Sequence, residues 1–284
     1  MLSRSLFAVA LTALASMSHA VEPTASSSAT QAQVRANFAA HVGSLPSDVA
    51  VLDGYASRGD WTPLVKRLAS ATSASDVLAD MDWERSKVIS GGNILFDIAY
   101  VNSLWKTASS LPTPEAEQMK QTAVAFALYQ IAVIDLDGPR CKDPTAPDRK
   151  LRLALTNWGT IVLYGQALPP QQKDTVKQVA LRLEWATAPV RGNDPVLCRG
   201  GLDEMRANME AGAKPQEVPS TPALGMLPGK SFAVPHIVDY KPEFLVDAVW
   251  KPVADARRAQ LPKKLTSVLT LRSPPAAASS DLTN

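Results

Sequence analysis

Apolar side chains recur at helical spacing along almost the whole stretch from Gln31 to Gly212. The clearest run is Leu151, Ala154, Leu155, Trp158, Ile161, Val162 and Gly165, the i, i+3, i+4, i+7 pattern that gathers side chains on one face of a helix. Val176, Val179, Ala180 and Leu183 repeat it in the next segment. Thr113-Pro114-Glu115, Ala146-Pro147-Asp148 and Pro169-Pro170 each put a proline at or near a first turn, where its missing N–H costs nothing. The pattern predicts helices over 31–42, 48–58, 62–71, 76–89, 93–109, 114–136, 147–167, 170–188 and 201–212.

One of these helices is apolar nearly all round. Between Ala123 and Ile134 only Gln130 and the phenol of Tyr129 are polar, which predicts a helix surrounded by other helices. The run is too short to span a bilayer and ends in Asp135-Leu136-Asp137. It reads as the central post of a bundle.

The pattern changes after Gly212. Six prolines between Lys214 and Pro242 rule out a long helix there, and Val234, Ile237, Val238 and Tyr240 offer apolar anchors for a segment that wraps over the helical body. A further helix is expected over 243–260, disturbed by Pro252, with Lys264–Leu271 as a separate short strand or helix. The expected fold class is all-α: an irregular multi-helix bundle or short α-solenoid, with a Pro-rich wrapping segment and a C-terminal helix. Its expected parts are a helical bundle over 31–212, a Pro-rich connection over 213–242, a C-terminal helix with a basic stretch over 243–272, and a disordered tail over 273–284.

The first twenty residues belong to none of these. Arg4, the apolar run Leu6–Ala15 and Ser18-His19-Ala20 have the order of a secretory signal peptide, with cleavage expected between Ala20 and Val21. Val21–Thr30, rich in Ser, Thr and Ala, reads as a flexible leader. The expected location is therefore the periplasm or the medium of a bacterium, with no transmembrane segment once the leader is removed. Losing Arg4 brings the formal net charge from +2 to +1, which leaves no electrostatic case for nucleic acid.

Export changes the meaning of the two cysteines, Cys141 and Cys198. Each follows a long helix, and the chain between them runs down one helical length and back another, so both return to one pole. A disulfide is expected.

Motifs that fix a chemistry are missing. The two histidines beyond the leader, His41 and His236, are far apart and in no metal-ligand spacing, no G-x-S-x-G elbow occurs, and Gly225–Ser231 falls one residue short of a phosphate loop and carries Pro228. No metal site and no cofactor are implied. Carboxylates are the remaining catalytic candidates. Asp97, among Ile94, Ile98, Val101 and Leu104, is expected to be buried with a raised pKa; Asp135 and Asp137 are expected near a solvated turn, and Glu184, beside Trp185, in a surface ion pair. The stretch Lys251–Arg272 holds six basic residues against Asp255 alone and reads as a solvated or polyanion-facing surface. The sequence thus predicts an exported helical adaptor that binds a protein partner or envelope component. The alternative is a carboxylate-dependent hydrolase or lyase acting on cell-wall glycan, with Asp97, Asp135 and Glu184 as its acid and base groups.

Overall fold

The computed structural model describes residues 28–39, 44–218 and 231–270. The signal peptide with its Ala20/Val21 cleavage site, most of the leader, His41, Gly225–Lys230 and the tail over 273–284 lie outside the described residues.

Eleven α-helices make up nearly all of the described chain, so the fold is all-α. They are α1 (Ser28–Ala39), α2 (Val49–Arg58), α3 (Trp61–Ala69), α4 (Ala74–Ile89), α5 (Ile94–Ala108), α6 (Thr113–Asp137), α7 (Thr145–Asn157), α8 (Gly159–Ala167), α9 (Pro170–Thr187), α10 (Leu202–Glu210) and α11 (Asp247–Thr270). Local chemistry sets several starts. Ser73 caps α4 by accepting from the Asp76 N–H, Asn93 caps α5 by accepting from Leu95 N–H, and Pro114 and Pro170 occupy first-turn positions of α6 and α9.

Helix α6 is the post that its apolar run predicts. Every residue from Ala123 to Asp137 is buried, with α5, α7, α8, α9 and α11 packed around it. Alanines at 123, 125, 127 and 132 let neighbouring backbones come close, and Tyr100 meets Phe126 edge to face at 4.7 Å between ring centroids. Gly165 of α8 shows how close. A Cβ there would lie 3.0 Å from a Val124 methyl of α6 and 3.1 Å from a Leu269 methyl of α11.

Three elements differ from their sequence pattern. The segment 147–167 is two helices, α7 and α8, broken at Trp158, whose buried indole N–H donates to Asn102 Oδ1 (3.1 Å). Helix α11 runs unbroken through Pro252 and Pro262, absorbing what reads as two elements. Both prolines face solvent, and Trp250, Ala254, Leu261, Leu265 and Leu269 are buried along one helical face against α6, α8 and α9. That burial outweighs the lost backbone hydrogen bonds.

The Pro-rich stretch contributes a short antiparallel ribbon, β1 (Gln216–Val218) with β2 (Ser231–Ala233). Beyond it the chain returns along α10. Ile237, expected as an apolar anchor, is exposed. Anchoring is polar instead, because Asn208 Oδ1 accepts from the backbone N–H groups of Ile237 (2.6 Å) and Val238 (3.1 Å). The strand-like passage ends against the α6 terminus, where Lys142 N–H donates to Glu243 O (3.0 Å) and Leu245 N–H to Arg140 O (2.7 Å). Cys141 and Cys198 are joined in a disulfide at that pole. Among the described residues no helix is long and apolar enough to cross a membrane.

Candidate functional site

Three features of the described residues bear on function: a buried ionic network, a cleft beside it, and an apolar face on α10.

The network gathers where α6 and α9 end. Arg191, just beyond the 3-10 turn that follows α9, donates through Nε to Asp137 Oδ2 (2.7 Å) and through Nη2 to Glu184 Oε1 (2.9 Å). Its Nη1 donates to the Glu184 carbonyl (3.0 Å) and Thr187 Oγ1 (2.6 Å). Thr187 also pairs with the Tyr129 hydroxyl at 3.0 Å. All of these side chains are buried. Two carboxylates hold the Arg191 guanidinium charged and push its pKa up against burial.

Asp135, beside the network, and Glu184, within it, receive α11. Lys264 Nζ lies 2.7 Å from Asp135 Oδ1, Arg257 donates to the Asp135 carbonyl at 2.9 Å, and Arg258 Nη2 reaches Glu184 Oε1 at 3.3 Å. The sequence reading is corrected at both ends of these pairs. Asp135 and Asp137 are buried rather than solvated, and Glu184 is buried rather than in a surface pair. The basic stretch is largely engaged: Lys251, Arg257, Arg258 and Lys264 all have carboxylate partners. Arg257, Arg258 and Lys264 thus dock α11 on Asp135 and Glu184, while Lys251 pairs with Asp247 inside the helix.

Asp97 is different. It is buried in the first turn of α5 and carries no hydrogen bond or ion pair among the described residues. Burial raises its pKa well above the usual carboxylate range; Arg191 pulls it back, and Asp194 and Asp137 push it further. Beside Asp137 and Arg191 is a cleft of about 220 Å³, lined also by Gly91, Asn93 and Asn193 among others. Asp194 staples its two rims, accepting from Ile94 N–H (2.9 Å) across the gap and from Val196 N–H (2.8 Å) in its own turn. Gly91 makes the approach possible. Its φ is +79°, and a Cβ there would lie 2.5 Å from the Val190 carbonyl oxygen.

Sequence reasoning missed a further buried acid, Glu84. Glu84 of α4 accepts from Ser103 at 3.2 Å through Oε1, while its Oε2 is buried without a partner. Its placement between Met81 and Val88 at helical spacing is the same signal that singles out Asp97. Burial pushes the carboxyl up to about 8, against 4.5 for an exposed glutamate, with Asp80 adding to the rise. The folded chain therefore holds a proton that the unfolded chain releases, so the contribution of Glu84 to stability is complete below pH 4.5 and is lost as pH rises toward 8. Glu84→Gln is expected to stabilise the protein at pH 7 by on the order of 2 kcal/mol and to flatten the pH dependence across that window. Urea unfolding at pH 5 and pH 7.5 reads both effects, and a variant less stable than wild type at the higher pH contradicts the neutral-acid account.

Helix α10 is inverted relative to an ordinary surface helix. Glu204 and Asn208 are each 1% exposed, whereas Leu202, Met205 and Met209 are 50%, 38% and 44% exposed. Polar partners on the inner side explain it. Glu204 accepts from Arg199 (2.6 Å) and Gly200 N–H (2.6 Å), its pKa lowered by those partners against burial, and Asn208 carries the returning chain. Asp143 and Thr145 cap the helix from outside, accepting from Asp203 N–H (2.9 Å) and Leu202 N–H (2.8 Å). The apolar side chains, at i, i+3 and i+7, line a shallow groove of about 450 Å³ bordered by Arg206 and Glu210. No family model, curated protein or solved structure matches this chain.

Proposed function

We propose that this protein is an exported, non-catalytic adaptor whose α10 groove holds an apolar segment of a protein partner in the bacterial cell envelope. The observation that carries the reading is the inversion of α10. Hydrogen bonds fix the helix from its inner side, and they leave a leucine and two methionines facing water. An apolar stripe on a firmly held helix suits partner binding, and unbranched methionines adapt to the shape they meet. The leader pattern and the disulfide support an oxidising, extracytoplasmic location.

The glycan-cleaving alternative has less support. It requires two available carboxyls facing each other across a cleft. Asp135 and Glu184 are held by Lys264, Arg191 and Arg258, which leaves Asp97 alone among the three candidates.

Affinity capture from envelope extract, run in parallel with wild type and Met205→Glu/Met209→Glu, tests the adaptor reading. The partner retained by wild type is expected to fall at least about tenfold with the double variant, since two charges replace desolvated apolar contacts. Both positions are exposed, so the variant should melt with wild type. The same proteins on both resins, or glycan fragments alone, would count against the proposal.

A further inference from the structure

Oxidants have few places to attack this chain. Both of its cysteines are joined in the Cys141–Cys198 disulfide, so no thiol competes for a peroxide. The polarizable thioethers of methionine are the next target, and the fold divides them. Met81 of α4 and Met119 of α6 are 6% and 7% exposed and belong to the core, whereas Met205 and Met209 of α10 are 38% and 44% exposed. Four residues apart, the last two share one side of their helix, and with Leu202 they supply the apolar lining of its groove. We propose that Met205 and Met209 form a paired oxidation site, at which a peroxide converts both thioethers to sulfoxides and turns the α10 groove from apolar to polar.

The step balances with the peroxide alone. A sulfur lone pair forms an S–O bond to one peroxide oxygen while the O–O bond breaks. Sulfur loses two electrons, the departing oxygen gains them, and the proton of the attacked oxygen passes to the departing one, which leaves as water or an alcohol.

The support of α10 makes this a change of surface rather than of fold. Glu204 holds the helix to Arg199 and the Gly200 N–H, and Asn208 holds it to the N–H groups of Ile237 and Val238. None of these contacts runs through either thioether. A sulfoxide is a strong acceptor that keeps water on the groove, and an apolar segment would have to strip that water without replacing its hydrogen bonds. The loss of binding rests on the adaptor reading; the selective oxidation does not.

Peroxide mapping of the disulfide-bonded chain tests the site. With limiting hydrogen peroxide, peptide mass spectrometry is expected to find oxygen added at Met205 and Met209 at least about fivefold faster than at Met81 and Met119, following their exposure. The oxidised protein should keep its melting temperature and elute earlier from a hydrophobic-interaction column. Met205→Leu/Met209→Leu keeps the volume without the sulfur, so its peroxide-induced shift in elution should be smaller than that of wild type. Sulfoxides formed at Met226 or in the leader are common to both proteins and cancel in this comparison. In capture from envelope extract, peroxide should cut the partner retained by wild type at least about tenfold and leave that retained by the leucine variant unchanged. Equal oxidation rates at Met81, Met119, Met205 and Met209 overturn the proposal. So do equal elution shifts in the two proteins, or a retained partner that peroxide does not displace from wild type. Untreated wild type that retains the same proteins as Met205→Glu/Met209→Glu overturns the adaptor reading instead, and the mapping and elution results then decide the oxidation site by themselves.

Discussion

Arg191→Met should lower the free energy of unfolding by about 4 kcal/mol, the range found when one partner of a buried ion pair is removed. The loss comes from what remains behind. Methionine fills the volume but leaves Asp137 and Glu184 buried with one countercharge fewer, and it strips a donor from Thr187 and from the Glu184 carbonyl. Arg191→Lys should fall between the two, because a single ammonium cannot reach all four acceptors of the guanidinium fork. Urea denaturation of the three proteins at pH 7 gives the order directly. A methionine variant within about 1 kcal/mol of wild type would mean that the carboxylates find other partners or solvent. The same variant distinguishes two uses of the network. If it serves mainly to seat α11, amide exchange should rise first along α11, since Glu184 also receives Arg258.

Periodicity made most of the helices legible, because burial on one face is a property of residues three and four apart. Helix α6 is the strongest example: a nearly unbroken apolar run has no exposed side to choose, and it lies at the centre. The break at Trp158 was invisible for the same reason. A single non-helical residue does not disturb the spacing of Ala154, Trp158 and Ile161, all three of which are buried. In α11 Pro252 was legible as a disturbance, but the five buried side chains that hold the helix together act against α6, α8 and α9, which the local sequence does not contain.

Long-range partners explain the misreadings around the site. Asp135 meets Lys264 and Arg257 of a helix more than a hundred residues later, so nothing beside it in the chain signals a buried pair. Helix α10 is the sharper case. Its polar residues turn inward only because backbone N–H groups of Gly200, Ile237 and Val238 are waiting for them, and two of those three come from beyond the ribbon. An amphipathic pattern specifies two faces; which one meets water depends on what the rest of the chain offers.

Opening the Cys141–Cys198 disulfide should cost about 4 kcal/mol, the loop-entropy value for a closed segment of this size, with native-state strain and residual denatured structure able to reduce it. Its position makes the consequence more than a lower melting point. Cys141 is followed at once by Lys142, which pairs with the chain entering α11, and then by Asp143 and Thr145, which cap α10. Cys198 stands between the Asp194 staple and the Arg199–Glu204 contact that orients α10 from within. The bond therefore ties together both halves of the support beneath the Leu202–Met209 face. A Cys141→Ala/Cys198→Ala protein is expected to show faster amide exchange at Leu202, Asp203 and Leu245 than in the core of α6, at temperatures where the bulk of the helices is still folded. Matching exchange rates at those three amides in the oxidised and substituted proteins would show that the α10 face is positioned without the crosslink.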